Sequence, residues 1–243
     1  MNKQNKIKFL KIFGIGTLLT GIAIFLVIFW PQFSLDINFF LLEHNLISNP
    51  YISQEAYQAM VKGLSTGLEE FTGRTDNFDM VALRRKAMLS ALPNSSYLDF
   101  GILIPKINAD APIVKNVDPF DIEIYKVALG KGIAHANTSA VPVEVGNIFL
   151  FAHSGRNFYD NIGINVQFYL LDKLTAGDLI IINYEKQKFV YQIKEVKIVE
   201  QTESQYIFKD FKYNEGNSNT LVLMSCWPAG MNVKRQVVLA EQL

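Results

Sequence analysis

The sequence contains a single cysteine among its 243 residues, and only three histidines. One cysteine excludes an intrachain disulfide, so packing must hold the fold together even if the protein works in an oxidising compartment. A metal site built from several thiolates is excluded for the same reason. Any chemistry that needs a thiolate or an imidazole therefore depends on very few side chains.

The chain also lacks an excess of charge of either sign. Lys+Arg and Asp+Glu number 23 each, so the formal net charge is zero. A nucleic-acid-binding surface normally carries a basic excess, so we expect no nucleic-acid partner. With 49% hydrophobic and 19% charged residues, the composition is that of a globular protein. The length suffices for one ordinary domain with a small annex.

Charged residues are absent from residues 12–30 (IFGIGTLLTGIAIFLVIFW). A helix of this length spans roughly 28 Å, close to the ~30 Å hydrocarbon core of a bilayer. Residues 1–11 hold four lysines and no acid, which predicts a cytoplasmic N-terminus and an extracytoplasmic remainder. The run ends in Trp30 and Pro31 rather than in small residues. This ending favours a single-pass signal anchor over a cleaved signal peptide, and Pro31 cannot continue the helix freely.

Residues 31–97 are predicted to form a helical stalk or annex. Residues 53–71 begin with a serine and repeat apolar residues at helical spacing, and residues 79–92 are a second candidate helix. The run PNSS at residues 93–96 ends this pattern. Nothing in the stretch marks it as a lid over a site.

From residue 98 onward the sequence predicts a β domain. Gly, Pro, Asn and Asp separate short runs rich in Val, Ile, Phe and Tyr. The runs are YLDFGILIPKI, APIV, GNIFLFAH, DLIIINY, KFVYQIKEVKIVE, NTLVLMSC and RQVVLAEQL. Several short strands at such spacing are typical of a β-barrel or sandwich. The continuously apolar NTLVLM predicts a strand buried on both faces.

The single cysteine, Cys226, stands where an apolar strand ends and the turn WPAG at residues 227–230 begins. Strand ends on a rigid scaffold commonly present reactive groups. The competing interpretation is a buried, inert cysteine that behaves as a small hydrophobe. Position alone favours neither interpretation.

His153 also closes an apolar strand and opens a polar loop. A thiol and an imidazole at two strand ends, far apart in sequence, fit a nucleophile with its acid–base partner. Imidazole can accept and return a proton at neutral pH. The alternative is a surface histidine without a role. His44 in the predicted stalk and His135 in a predicted loop are weaker candidates by location.

Arg235 begins the last apolar run. If that run and the Cys226 strand are antiparallel neighbours, Arg235 faces the end of the Cys226 strand. A guanidinium there can hold a substrate carbonyl, stabilise an oxyanion and favour the thiolate. A solvated arginine is the alternative, and Lys234 is the competing cation.

These three residues carry a resemblance to the sortases, which are membrane-anchored cysteine transpeptidases of bacterial surfaces. Residues 102–114 (ILIPKINADAPIV) resemble the opening strand of that family, and residues 129–154 resemble the segment that ends in its catalytic histidine. Residues 170–184 resemble the stretch between histidine and cysteine. VLMSC at 222–226 resembles the Thr-Leu-x-Thr-Cys signature, and Arg235 stands where the family's arginine is expected. The resemblance covers about residues 98–243.

The resemblance implies an eight-stranded sortase β-barrel and a substrate that is another secreted protein with a Leu-Pro-x-Thr-Gly-like C-terminal sorting signal. It implies that Cys226 attacks the carbonyl between Thr and Gly and that His153 protonates the leaving amine. Arg235 would position the substrate and stabilise the oxyanion. An amine, such as a cell-wall peptide or a pilin lysine, would then resolve the thioester.

The sequence departs from the family signature at two positions, Val222 and Ser225, where threonines are usual. Ser225 keeps a hydroxyl that can bond the substrate backbone. Asn147 and Ser154 flank the histidine strand and are weak candidates for substrate contact or for orienting the histidine. We assign no sortase subclass.

No metal or cofactor is expected. Glu144 lies in a proline-flanked loop before the His153 strand, but one carboxylate is far short of the several oxygens that calcium needs. Asp172 and Asp178 are interpreted as ordinary turn acids.

Two other functions stay open at this point. The same Cys–His–Arg site can serve a cysteine protease in which water takes the acyl group. Alternatively, the chain is a non-catalytic surface scaffold with an inert Cys226. The order and spacing of the segments favour the transpeptidase.

Overall fold

The structure is a computed structural model that describes residues 3–69, 78–155, 167–213 and 219–243. The chain divides into two compact units, Met1–Phe40 and Leu41–Leu243. The second unit holds the whole β domain together with the helices that lie between residue 54 and the first strand.

The N-terminal region is one long helix, α1 (Lys3–Glu43). It runs through Pro31. A proline removes one backbone hydrogen bond, and the turns on either side can still carry a helix across it. We find no helix among the described residues that is long and apolar enough to cross a membrane, so the transmembrane segment predicted at residues 12–30 is not confirmed.

Eight strands close into a barrel with the order β1-β2-β3-β4-β7-β8-β6-β5, which confirms the predicted eight-stranded β-barrel. The strands are β1 (Phe100–Ile104), β2 (Ala109–Val117), β3 (Ile133–Ala136), β4 (Asn147–Phe151), β5 (Leu179–Tyr184), β6 (Gln187–Val199), β7 (Thr220–Trp227) and β8 (Lys234–Gln242). The apolar run that predicted a doubly buried strand is β7, in which residues 220–225 are all buried.

Strand β3 is the one that the sequence did not predict. It has four residues, all of them buried, so it offers neither the length nor the alternation by which strands are recognised. His135 lies in this strand, and its predicted place in a loop was wrong.

Two neighbouring strand pairs run parallel, β2 with β3 and β4 with β7. A parallel pair requires a crossover connection, and helix α4 (Ile122–Leu129) lies in the one between β2 and β3. Asp121 caps this helix, because its side chain accepts from the backbone amides of Glu123 and Ile124 at 3.0 and 3.2 Å.

Helices α2 (Gln54–Glu69) and α3 (Phe78–Ala91) match the two helices predicted between residues 53 and 92. They cover the outer face of β1, β5 and β6. The buried members of this cluster are Tyr57, Leu64, Leu92, Leu103, Leu179, Ile181 and Val190. Each large apolar side chain buried here contributes roughly 1.5–3 kcal/mol.

A polar contact fixes α2 on this face. The Tyr57 hydroxyl donates to Asp178 Oδ1 at 3.3 Å and accepts from the Leu179 amide at 3.0 Å. Asp178 also accepts from Lys106 Nζ at 2.7 Å and from the Thr175 amide at 2.7 Å. Asp178 is thus a turn acid, as predicted, and it also joins the helices to the barrel.

The outer face of β4, β7 and β8 has a different cover. Buried side chains of these strands cluster with side chains from the β6–β7 connection, namely Tyr206, Ile207, Phe211 and Tyr213. The strand residues in this cluster are Phe149, Phe151, Val222, Met224, Val237 and Leu239. Cys226 lies at the end of this face.

Candidate active site

Cys226 and Arg235 face each other across a hairpin. Strands β7 and β8 are antiparallel, and their register pairs Cys226 with Arg235 and Trp227 with Lys234. The prediction that Arg235 faces the end of the Cys226 strand is therefore confirmed. Lys234 instead forms an ion pair with Glu200 at 2.7 Å and does not line the pocket described below.

Strand β4 brings His153 to the same level. It runs parallel to β7, with Phe151 paired to Met224, and the Ala152 amide donates to the Met224 carbonyl at 3.2 Å. Continuing this register by two residues places His153 beside Cys226. Parallel strands end at the same edge of a sheet, so an imidazole and a thiol far apart in sequence meet there.

Alternation along β7 and β8 puts the side chains of Cys226 and Arg235 on one face. Val222, Met224 and Cys226 are two residues apart, and side chains two apart point to the same side of a strand. Their partners in register on β8 are Leu239, Val237 and Arg235. The face is apolar until the strands reach their ends, where Cys226 and Arg235 lie.

A cavity of about 250 Å³ opens at this point. His153, Cys226 and Arg235 all line it. Its apolar walls come from three sources: β4 and β7, helix α4 and the β6–β7 connection. The apolar lining residues include Phe149, Phe151, Met224, Tyr125, Leu129 and Ile207. A thiol, an imidazole and a guanidinium thus border one apolar cavity, which suits acyl transfer on an extended peptide.

Cys226 is half-buried, and two opposing effects act on its proton. Burial raises the pKa of the thiol, and the charge of Arg235 lowers it. Because burial is the larger effect, the thiol keeps its proton at neutral pH. A base is needed to remove that proton, and His153 is the imidazole that borders the same cavity.

The sequence did not single out Asn232. Its Oδ1 accepts from Arg235 Nη1 at 2.7 Å and from the Cys226 thiol at 3.7 Å. An asparagine in a loop with glycine and proline looks like ordinary turn chemistry, so no signal in the chain distinguished it. Asn232 makes these contacts because the pairing of β7 with β8 brings its loop next to Cys226 and Arg235.

Ser154 and Ser225 both border the cavity, but their side chains have different surroundings. Ser154 Oγ accepts from the Gly230 amide at 3.4 Å, which ties the histidine loop to the β7–β8 loop. Ser225 alternates with Cys226, so its side chain faces the barrel interior, opposite Gln236. Its Oγ is buried without a hydrogen-bond partner among the described residues. The structure therefore does not direct the Ser225 hydroxyl towards a substrate.

The structure does not bring Asn147 to the site. Asn147 pairs with Thr220 at the far end of β4 and β7 and is fully buried. Its Nδ2 donates to the carbonyls of Tyr206 and Phe208, at 2.6 and 3.1 Å. These two residues flank Ile207, which lines the cavity. Asn147 thus holds the residues on either side of Ile207 in one wall of the cavity, and it does not itself line the cavity.

The other histidines lie elsewhere. His135 is buried, with Nε2 at 2.8 Å from the Ala140 carbonyl and Nδ1 accepting from the Asn116 amide at 3.4 Å. Burial lowers the pKa of His135, so the ring is neutral and serves the fold. His44 is exposed after the end of α1 and does not line the cavity.

Acidic residues of the described regions do not gather into a metal site; no group of three or more His, Cys, Asp or Glu lies together there. Glu144 pairs with Lys209 at 2.6 Å, and this hydrogen bond lowers the pKa of its carboxyl group. Asp172 pairs with the neighbouring Lys173 at 3.1 Å.

Comparison with known proteins identifies the family of this chain. A family model described as Sortase domain matches residues 102–243. Sortase D of Bacillus subtilis (strain 168) is 30% identical over 147 residues, which are 59% of this chain and 63% of that protein. The chain thus spans less than two thirds of the length of this relative.

Two solved structures are also similar to this chain. Sortase A from Corynebacterium diphtheriae, a lid mutant, shares 20% identity at a TM-score of 0.48, over 79% of this chain and 95% of that one. Sortase C-1 from Actinomyces oris shares 19% identity at a TM-score of 0.49, over 76% of this chain and 98% of that one.

Proposed function

Because the chain belongs to the sortase family, we propose that it is a cysteine transpeptidase that works through the cavity around Cys226. The proposal rests on one observation: the ends of β4 and β7 and the start of β8 lie at the same cavity. The antiparallel β7–β8 register and the parallel β4–β7 register bring Cys226, Arg235 and His153 to one cavity.

The substrate is another secreted protein that ends in a Leu-Pro-x-Thr-Gly-like sorting signal. His153 takes the thiol proton, and the Cys226 sulfur attacks the carbonyl carbon between Thr and Gly. Arg235 lies opposite the sulfur in register, where its charge stabilises the oxyanion of the tetrahedral intermediate. When the C–N bond breaks, His153 returns the proton to the leaving amine, and a thioester remains on Cys226.

An amine then completes the reaction. Its lone pair attacks the thioester carbonyl, and His153 accepts the proton that the amine nitrogen loses as the new amide bond forms. The C–S bond breaks, and the thiolate that leaves takes this proton back from His153. The amine is a cell-wall peptide or a pilin lysine. Dividing one difficult amide exchange into two acyl transfers is the advantage of the covalent route. The apolar walls of the cavity hold the peptide.

We further propose that the protein works at the outer face of the cell membrane, held by a signal anchor at residues 12–30. Support comes from the sequence: the uncharged run of 19 residues and the four lysines that precede it. The test is the accessibility of the domain to an added protease in intact cells. Degradation of residues 98–243 from outside supports this orientation, and complete protection contradicts it.

The activity test uses the full chain with a Leu-Pro-x-Thr-Gly-type peptide, with and without triglycine as the amine. We expect a product in which triglycine is joined to the threonine carbonyl. Cys226→Ala, His153→Ala and Arg235→Ala should each lose it. Lys234→Ala is the matched control for Arg235, since Lys234 is the adjacent cation but pairs with Glu200.

Two alternatives give different products. Cleavage at the same bond in the presence of excess amine, without joining, supports a membrane-anchored cysteine protease of the hydrolase class. A native Cys226 that resists small thiol reagents supports a non-catalytic scaffold. The half-buried position of Cys226 favours the enzyme over the scaffold.

A further inference from the structure

Asn232 links the two charged or reactive groups of the hairpin. Its side-chain oxygen is 2.7 Å from Arg235 Nη1 and 3.7 Å from the Cys226 sulfur. An arginine only donates hydrogen bonds, so the amide oxygen, and not the amide nitrogen, must face it. We propose that Asn232 is a positioning residue that holds the Arg235 guanidinium beside the Cys226 sulfur. This inference rests on the proposed thiol chemistry of Cys226.

Arg235 needs such a holder because its side chain is only half-buried. A long, flexible arginine at a strand start samples many rotamers unless hydrogen bonds select one. Arg235 Nη1 has two acceptors, the Asn232 side chain and the Lys234 carbonyl at 3.1 Å. The carbonyl belongs to the adjacent residue and moves with the arginine backbone, so the asparagine is the contact that sets the direction of the side chain.

Asn232 is itself held by residues that directly follow strand β6. Gln201 Nε2 donates to the carbonyls of Asn232 and Val233, at 2.6 and 2.8 Å. One residue earlier, Glu200 pairs with Lys234. The loop between β7 and β8 and the first residue of β8 are therefore attached at these two points to the turn that follows β6. A loop fixed in this way can present a side chain at a constant position.

The electrostatic consequence concerns the thiolate. The charge of Arg235 lowers the pKa of Cys226 against the effect of burial, and a guanidinium that leaves its position loses this effect. Among the described residues, the other titratable groups that line the cavity are His153 and Tyr125. Lys234, across from Trp227, is neutralised by its ion pair with Glu200. Asn232 adds no charge, so its effect on the thiolate should pass through Arg235.

The experiment is a double-mutant cycle on the full chain, read by iodoacetamide labelling of Cys226 as a function of pH. The proteins are the wild type, Asn232→Ala, Arg235→Ala and the double variant, with Val233→Ala as the matched control from the same loop. Thermal melting of each protein verifies that it is folded. Cys226 is the only cysteine, so labelling reports this thiol alone.

We expect Asn232→Ala to raise the labelling midpoint by about 0.5 pH unit, which slows labelling roughly threefold at neutral pH. Arg235→Ala should raise the midpoint further. In the Arg235→Ala background, Asn232→Ala should cause no further rise, because the group it positions is gone. Loss of the weak bond that the thiol donates to Oδ1 would even lower the midpoint slightly. Val233→Ala should match the wild type.

The proposal is overturned if Asn232→Ala leaves the midpoint unchanged, or if it raises the midpoint equally in both backgrounds. The second result would mean that the residue acts on the loop rather than on the arginine. Labelling needs no sorting peptide, so this result is independent of whether the chain joins peptides. Where peptides are joined, the same cycle on kcat should also be non-additive while KM changes little.

Discussion

The barrel has two apolar outer faces that are formed by similar strands but are covered by different parts of the chain. On β1, β5 and β6, helices α2 and α3 complete the core, and Ile181 and Leu103 are entirely buried. On β4, β7 and β8, the cover is an irregular connection, and Phe151 and Ile207 are only partly buried. Both faces have the same alternation and similar side chains, so the strands themselves do not distinguish them.

The difference lies in what each cover borders. The helices are held by apolar packing and by the Tyr57–Asp178 contact. The β6–β7 connection is held by Asn147, and its Ile207 lines the cavity that Cys226, His153 and Arg235 also line. We call the face under the helices the covered face and the face beside this cavity the open face. The covered face should therefore govern stability, and the open face should govern activity.

The largest effect should come from the open face. His153→Ala removes the acid–base partner of the thiol, so we expect the rate of peptide joining to fall about 100- to 10,000-fold. The free energy of unfolding should change by less than about 1 kcal/mol, because His153 follows the end of β4 and is half-buried. Steady-state kinetics and urea unfolding measure the two quantities. A large loss of stability with intact activity per folded molecule would contradict the division between faces.

The covered face should behave in the opposite way. Ile181 is fully buried under the helices, and Ile181→Ala should lower the free energy of unfolding by about 2–5 kcal/mol. The activity of the molecules that remain folded should not change. Met231→Ala is the control for stability on the open side, since Met231 is 59% exposed and should shift stability by no more than about 0.5 kcal/mol. Equal destabilisation by both variants would remove the distinction.

A smaller effect tests the polar contact that fixes α2. Tyr57→Phe keeps the ring but leaves the Leu179 amide and Asp178 Oδ1 without this partner. We expect a loss of about 1–3 kcal/mol in the free energy of unfolding. Tyr97→Phe is the control, because Tyr97 is 43% exposed. An unchanged unfolding midpoint in Tyr57→Phe would show that apolar packing alone holds the helices.

The smallest effect concerns pH and belongs to the barrel wall, away from both covers. Burial lowers the pKa of His135, although the Ala140 carbonyl opposes that shift, whereas the unfolded chain titrates near about 6.5. The unfolded state thus binds a proton first as the pH falls. The contribution of His135 to stability is complete above about pH 6.5 and is lost progressively below it.

Urea unfolding of the wild type and of His135→Gln between about pH 7.5 and about pH 5 measures this contribution. The difference in stability between the two proteins should shrink as the pH falls, and subtraction cancels the other titrating groups. Lys115 and Glu144 act on the imidazole with opposite signs and are present in both proteins. A difference that is constant over this range would mean that His135 does not titrate differently on folding.

The sequence predicted the hairpin half of the site and the barrel around it. Cys226 ends one apolar run and Arg235 begins the next. The two residues therefore face each other once the runs pair as a hairpin. His153 was singled out because it closes an apolar strand and because the sortase resemblance includes it. Its proximity to Cys226 depends on the parallel pairing of β4 with β7, which is non-local and leaves no local pattern in the sequence. Asn147 and Asn232 have roles that depend on which loops come together. Their residue type and neighbours carry no such information.

Helices α2 and α3 show the same limit of prediction from sequence. Their periodicity predicted their existence and bounds within a few residues, because amphipathic spacing is local. It could not predict which face of the barrel they cover, since two faces of the same character compete for them. The Tyr57–Asp178 contact, formed across more than a hundred residues, marks the face they occupy.

The most direct test of the account is the mass of the intact full chain after incubation with a library of Leu-Pro-x-Thr-Gly-like peptides and no amine, quenched in acid. The account predicts a mass gain equal to the acyl part of a peptide, located on Cys226 by fragmentation and lost on addition of triglycine. Cys226→Ala should show no gain. A folded protein whose Cys226 stays unmodified by every peptide of the library would contradict the claim that the open face is an acyl-transfer site.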